Sequence, residues 1–114
     1  MNQDPRRDLS VPLPAVVRHP DGSLRNEYLV NVSVSGLCLH TRSPVSIGEV
    51  LWIEFRLPSQ ADEIHAGCKV VWTSHAGEVH PAPRCYETGL FVLELSEVDR
   101  QRIEAFVLAQ VDRR

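Results

Sequence analysis

Positive charge is scarce in this chain for any role that would need much of it. Twelve Lys and Arg stand against fifteen Asp and Glu, a formal net charge of −3. That balance argues against a general DNA or RNA binder, which carries a basic face, and leaves room only for a local basic pocket. Paired cysteine is missing too. Cys38, Cys68 and Cys85 are odd in number and widely spaced, with no Cys-x-x-Cys. They read as small core residues of a protein in a reducing compartment, with the cytoplasm as the expected location. No apolar run comes near the roughly 20 residues a bilayer-crossing helix needs. Residues 1–8 hold two arginines and two aspartates but no apolar core, so neither a secretory signal nor membrane insertion is expected.

The usual signatures of catalysis are absent as well. There is no Gly-x-Ser-x-Gly elbow and no glycine-rich loop opening a helix, since the glycines fall in strand and turn patterns. Asp62-Glu63 reads as a pair of turn charges. Of the five histidines (His19, His40, His65, His75, His80), His75 and His80 share a loop with Cys85 beyond it, at a spacing that matches no zinc signature. The expectation is a protein that is not an enzyme, with no metal and no resident cofactor.

What the chain does have is alternation. At 114 residues, 43% hydrophobic and 24% charged, it suits one globular domain with a core of its own. Residues 1–12, with Pro5 and Pro12, carry no apolar periodicity and read as a flexible N-terminal arm. The domain proper is expected over 13–114. Strands are predicted at Ala15–His19, Arg25–Ser33, Leu37–Thr41, Val50–Leu57, Ile64–Trp72 and Arg84–Leu95. Alternation puts Leu51, Ile53, Phe55 and Leu57 on one face, groups Ile64, Ala66, Cys68, Val70 and Trp72 together, and turns Phe91, Leu93 and Leu95 one way. Pro20-Asp21-Gly22-Ser23 marks a turn, and 73–83, with Gly77, Pro81 and Pro83, the longest loop. Ser96-Glu97-Val98-Asp99 starts a helix over 96–111, with Ser96 as N-cap and acidic residues at the positive pole. Val98, Ile103, Phe106, Val107, Gln110 and Val111 form its apolar stripe, and Arg113-Arg114 suits the far pole. Short strands at regular spacing, closed by one amphipathic helix, predict an all-β small antiparallel barrel or rolled sheet with the helix on an opening.

One stretch organises the rest. Tyr28, Val30, Val32 and Val34 share one parity, while Glu27, Asn31, Ser33 and Ser35 share the other, with Leu29 the exception. Past Gly36 the phase flips to Leu37, Leu39 and Thr41. A change of phase needs a bulge, which glycine tolerates. Asn31 and Ser33 thus form a small polar surface beside bare backbone, suited to close approach by a flat ligand. Arg6 and Arg7, on the arm, are the complementary cations, able to hold phosphate or the O6/N7 edge of guanine.

Asn31-Val-Ser33-Val-Ser-Gly36 resembles the Asp/Asn-x-Ser-x-x-Gly motif of PilZ domains, receptors for cyclic di-GMP. Arg6-Arg7-Asp-Leu-Ser-Val-Pro12 resembles that family's arginine-bearing arm, and Tyr86–Ser96 its last strand leading into the helix. The resemblance covers nearly the whole chain and implies a six-stranded antiparallel β-barrel, of PilZ-like split-barrel form, plus a C-terminal α-helix. It implies Arg6, Arg7, Asn31, Ser33 and Gly36 as residues binding cyclic di-GMP, an arm reordered by the ligand, and an unidentified downstream protein partner. Motility, biofilm or envelope control would be the outputs. One position departs from the pattern. The family's second arm arginine falls at Ser10 counting from Arg6, or at Val11 counting from Arg7, and neither is basic. The alternative is a domain that has lost the nucleotide and serves as a protein-interaction module.

Overall fold

A computed structural model of the protein describes residues 6–75 and 86–112. Among these residues the elements are β1 (Arg7–Arg18), β2 (Leu24–Val32), β3 (Gly36–Thr41), β4 (Val50–Phe55), β5 (Ile64–His75), β6 (Tyr86–Leu95) and α1 (Glu97–Asp112). The strands close into an antiparallel barrel in the order β1-β2-β3-β6-β5-β4, the architecture expected from the sequence. Its interior follows the alternation most closely in β4 and β5. Leu51, Ile53 and Phe55, with Leu57 just beyond, are buried, as are Ile64, Ala66, Cys68 and Val70. Val17, Leu29, Val32, Leu37, Leu39 and Leu90 complete the same core from the other strands, and Ile103 and Val107 of α1 join it.

The helix is held by specific bonds as well as by burial. Ser96 Oγ accepts the Asp99 N–H at 3.1 Å, which makes it the expected N-cap. Asp99 is itself buried and accepts the His65 N–H at 3.2 Å and an Arg102 Nη1–H at 2.9 Å. Arg102 continues outward, donating to Gln60 Oε1 at 2.9 Å and to the Asp62 carbonyl. One guanidinium thereby pins the helix to the β4–β5 connection. The stripe is consequently rotated from the one expected: Val98 is 65% exposed, because Asp99 takes the inward position beside Ile103. The side chains of Gln110 and Val111, and Arg113-Arg114, lie outside the described residues, as does most of the expected loop with His80 and Cys85.

The turn at 19–23 forms as its residues dictate. His19 N–H donates to Ser23 O at 2.9 Å, Asp21 Oδ1 accepts the Ser23 N–H and hydroxyl, and Gly22 takes a φ of +87°.

Four other expectations need correction. β1 begins at Arg7, so residues 7–12, expected as a flexible arm, are extended chain paired at Arg7↔Val32 and Asp8↔Asn31, with an irregularity before Leu13. The phase change expected at Gly36 lies earlier. Leu29 pairs with Leu39 and Asn31 with Cys38, which leaves Val30 as the bulged residue. Tyr28 therefore faces outward and Leu29, the apparent exception, is fully buried. A second irregularity between Val70 and Trp72 turns Trp72 out of the core to 43% exposure. In β6 the inward residue is Leu90, while Phe91 and Leu93, expected on the core side, are exposed.

Candidate functional site

Asn31–Gly36 is the end of β2 and the tight turn into β3. Ser33 N–H donates to Gly36 O at 2.9 Å. The Ser33 hydroxyl bonds the same residue twice, accepting the Gly36 N–H at 3.0 Å and donating to Gly36 O at 3.1 Å. Ser33 is buried as a result, and its first role is to shape the turn. Gly36 is favoured by proximity: a Cβ there would stand a tight 3.0 Å from the Leu90 carbonyl oxygen across on β6. Asn31 is half-buried, and its amide donates to the carboxylate of Asp8, its cross-strand neighbour.

These residues border an open groove of about 230 Å³ between the turn, β5 and β6, a little under the range of about 300–1,000 Å³ usual for small-molecule sites. Arg6, Asn31, Ser33, Ser35 and Gly36 line one side, and Trp72, Gly89 and Phe91 the other. The Trp72 indole lies across Gly89, so close that a Cβ on Gly89 would fall 2.1 Å from Nε1. One wall is thus polar and cationic, the other flat and apolar. Cys38 also lines the groove, its thiol pushed up to about 11 by burial and by the Glu87 carboxylate, with Arg6 pulling the other way. It is protonated at neutral pH and is no nucleophile.

The structure gathers four of the five residues singled out in the sequence: Arg6, Asn31, Ser33 and Gly36. Arg7 is elsewhere. Its guanidinium stacks on the Phe106 ring, 4.0 Å from the centroid, and Nη1 donates to the Phe106 carbonyl at 3.0 Å. Successive residues of an extended chain point to opposite sides, so Arg6 turns to the groove and Arg7 to the helix. Ser10 and Val11, where a second arm arginine would fall, are both exposed. Trp72 and Phe91 are the groove residues that alternation missed. The one trace of Trp72 in the sequence is Gly89, its cross-strand partner.

A closed antiparallel barrel with a helix packed on it and a groove beside one hairpin turn defines a small single-barrel β-module. The chain belongs to the PilZ family: the model of the PilZ domain matches residues 2–109. Solved structures of the same fold include the PilZ domain of YcgR from Escherichia coli with c-di-GMP, at 14% identity and a TM-score of 0.76, covering 95% of this chain and 89% of that one. The MrkH–c-di-GMP complex of K. pneumonia is similar at 18% identity and a TM-score of 0.74, covering 97% and 52%. The inhibitor of motility MotI (DgrA) of Bacillus subtilis is similar at 19% identity and a TM-score of 0.75, covering 99% and 52%. The chain thus spans about half the length of the MotI and MrkH chains. No curated protein matches. Among the described residues no helix is long and apolar enough to cross a membrane.

Proposed function

We propose that this chain is a cyclic di-GMP receptor domain of the cytoplasm, and that the groove at the Gly36 turn is its binding site. The observation that carries this reading is the convergence of Arg6, Asn31, Ser35 and Gly36 opposite Trp72 and Phe91 in one open groove. Arg6 supplies a bidentate cation for phosphate or for a guanine edge. The indole of Trp72 and the Phe91 ring supply an apolar wall for a purine, and Gly36 lets it approach the backbone. Asn31 and Ser35 contribute polar groups at the rim. MrkH and YcgR, which share the fold, were solved with this dinucleotide bound.

Ligand engagement at Arg6 draws on the start of β1, where Asp8 is bound to Asn31. Binding therefore reorders the first residues of the strand and alters the surface offered to a downstream protein, with motility, biofilm or envelope control as the output. Ser10 in place of a second arginine removes one charge-assisted contact, worth about 1.5–3 kcal/mol, or roughly ten- to a hundredfold in affinity. The same absence, together with a Ser33 hydroxyl already spent on Gly36, favours the second reading: a PilZ domain that binds no nucleotide and acts as an interaction module.

Titration calorimetry with cyclic di-GMP separates the two. The receptor reading expects micromolar or tighter binding, weakened about tenfold or more by Arg6→Ala, and tightened by Ser10→Arg. Absence of heat at high protein concentration would leave the interaction module standing.

A further inference from the structure

The barrel is polar inside at the end away from the Gly36 turn. His19, Glu27, Thr41 and Thr88 are buried there, where β1 and β3 finish and β2 and β6 begin. Thr41 Oγ1 donates to Ser43 O at 2.9 Å and lies 3.3 Å from Thr88 Oγ1. Glu27 Oε1 accepts the Arg42 N–H at 3.2 Å. Over this layer Arg25, Asn26, Glu27, Arg42 and Ser43 line an open groove of about 430 Å³. Asn31 and Arg25 are six residues apart on β2, which puts the two grooves about 20 Å from each other along the strand.

Three features give this mouth a cationic character that the fold does not use. Among the described residues, neither the Arg25 nor the Arg42 guanidinium makes a hydrogen bond or an ion pair, although Arg25 acts electrostatically on both Asp21 and Glu27 and Arg42 on Glu27. His19 is nine-tenths buried and its Nε2 has no partner, although buried polar nitrogens are as a rule satisfied. His19, Arg25 and Arg42 all act on Glu27, the acid at the base of the groove. Burial is the largest influence on that carboxyl and holds it above the ordinary glutamate range, with the Arg42 N–H and the three cationic side chains pulling the other way.

We propose that the polar mouth of the barrel is a second binding site, for an oxyanion group (phosphate or carboxylate), held between the Arg25 and Arg42 guanidiniums with His19 Nε2 as the inner donor. A forked pair of guanidiniums matches either group bidentately, and the buried imidazole gains the partner it lacks. The site is independent of the Gly36 groove and of whether that groove takes a nucleotide.

The test is a two-dimensional NMR titration of the whole chain with inorganic phosphate and, separately, with succinate. Sodium chloride at matched ionic strength is the control for screening. Saturable shifts are expected at the backbone amides of His19, Arg25 and Ser43, with the Gly36 and Gly89 amides unmoved. Arg25→Gln and Arg42→Gln, both at exposed side chains and so without cost to the fold, are each expected to weaken binding about fivefold or more, from the loss of a charge-assisted bond. Saturation by phosphate alone identifies a phosphoryl ligand, by succinate alone a carboxylate ligand, and by both an unselective oxyanion site. Shifts that follow ionic strength equally in chloride, or that persist unchanged in the double variant, overturn the proposal.

Discussion

Arg6 and Arg7 are neighbours with separate tasks, and replacing Arg7 with alanine shows which is which. The change removes a hydrogen bond from a charged donor to the Phe106 carbonyl and a cation–ring contact at 4.0 Å. A hydrogen bond to a charged group contributes about 1.5–3 kcal/mol, and an exposed cation–ring pair about 0.5–1 kcal/mol. Arg7 is half-buried, so solvent screening pulls the sum toward the low end, about 2 kcal/mol. For a domain of this size that lowers the thermal midpoint by roughly 8 °C. Urea unfolding followed by circular dichroism reads the loss directly, with an unchanged slope because the same surface is exposed. Arg7→Lys should fall between, since an ammonium keeps the charge near the ring but lacks the planar fork. Arg6→Ala should leave the midpoint in place and reduce nucleotide affinity instead. If Arg7→Ala keeps wild-type stability and abolishes binding, the division is wrong and Arg7 belongs to the groove.

Arg102→Ala should cost about 2–3 kcal/mol by freeing the helix from Gln60, Asp62 and Asp99; a urea midpoint equal to wild type would contradict that account of helix docking. Gly89→Ala should displace the Trp72 indole, shifting tryptophan emission in a Trp52→Phe background and weakening any ligand held against that ring. An unaltered spectrum would mean the indole does not lie over Gly89 in solution. Glu27 has a raised pKa, chiefly from burial, so the folded state holds its proton more tightly than the unfolded chain. That contribution is complete below the ordinary glutamate range, about 4.3, and is lost as pH rises through the folded value. Glu27→Gln should therefore gain stability relative to wild type as pH rises across that window, measured by urea unfolding at several pH values. A constant or shrinking difference would rule out the desolvated carboxyl.

The fold was legible where one face of a strand is strictly apolar. Leu51, Ile53, Phe55 and Leu57, then Ile64, Ala66, Cys68 and Val70, have their burial written in the sequence, and Ser96 announces the helix. Legibility failed where both parities are apolar. In β6, Leu90, Phe91, Val92 and Leu93 fit either face, and only pairing with β3 and β5 decides that Leu90 goes inward. It failed again at the irregularities by Val30 and Val71, because a bulge is set by register with a neighbour and leaves no fixed local signal. That is why alternation groups Trp72 with Val70 and gives no sign of the apolar wall of the groove. In the site, Asn31, Ser33 and Gly36 were found by motif, yet the reason for Gly36 is the Leu90 carbonyl on a distant strand. Arg7 was misplaced because an arginine pair in sequence does not say which way an extended chain faces.

Closure of the barrel also limits how another protein can take hold of it. The β1–β4 pairing covers only Ala15–Arg18 of β1, and the β4–β5 pairing ends at Lys69. Lateral backbone groups are therefore left open at strand ends, the two longest overhangs being residues 7–14 of β1 and 71–75 of β5 among the described strands. Pro12 and Pro14 strip amide donors from the first overhang, the usual guard against an intruding strand, and the second is a mere five residues long. An associating protein gains little by zippering onto the main chain and must instead discriminate side chains on the outer faces and at the two ends.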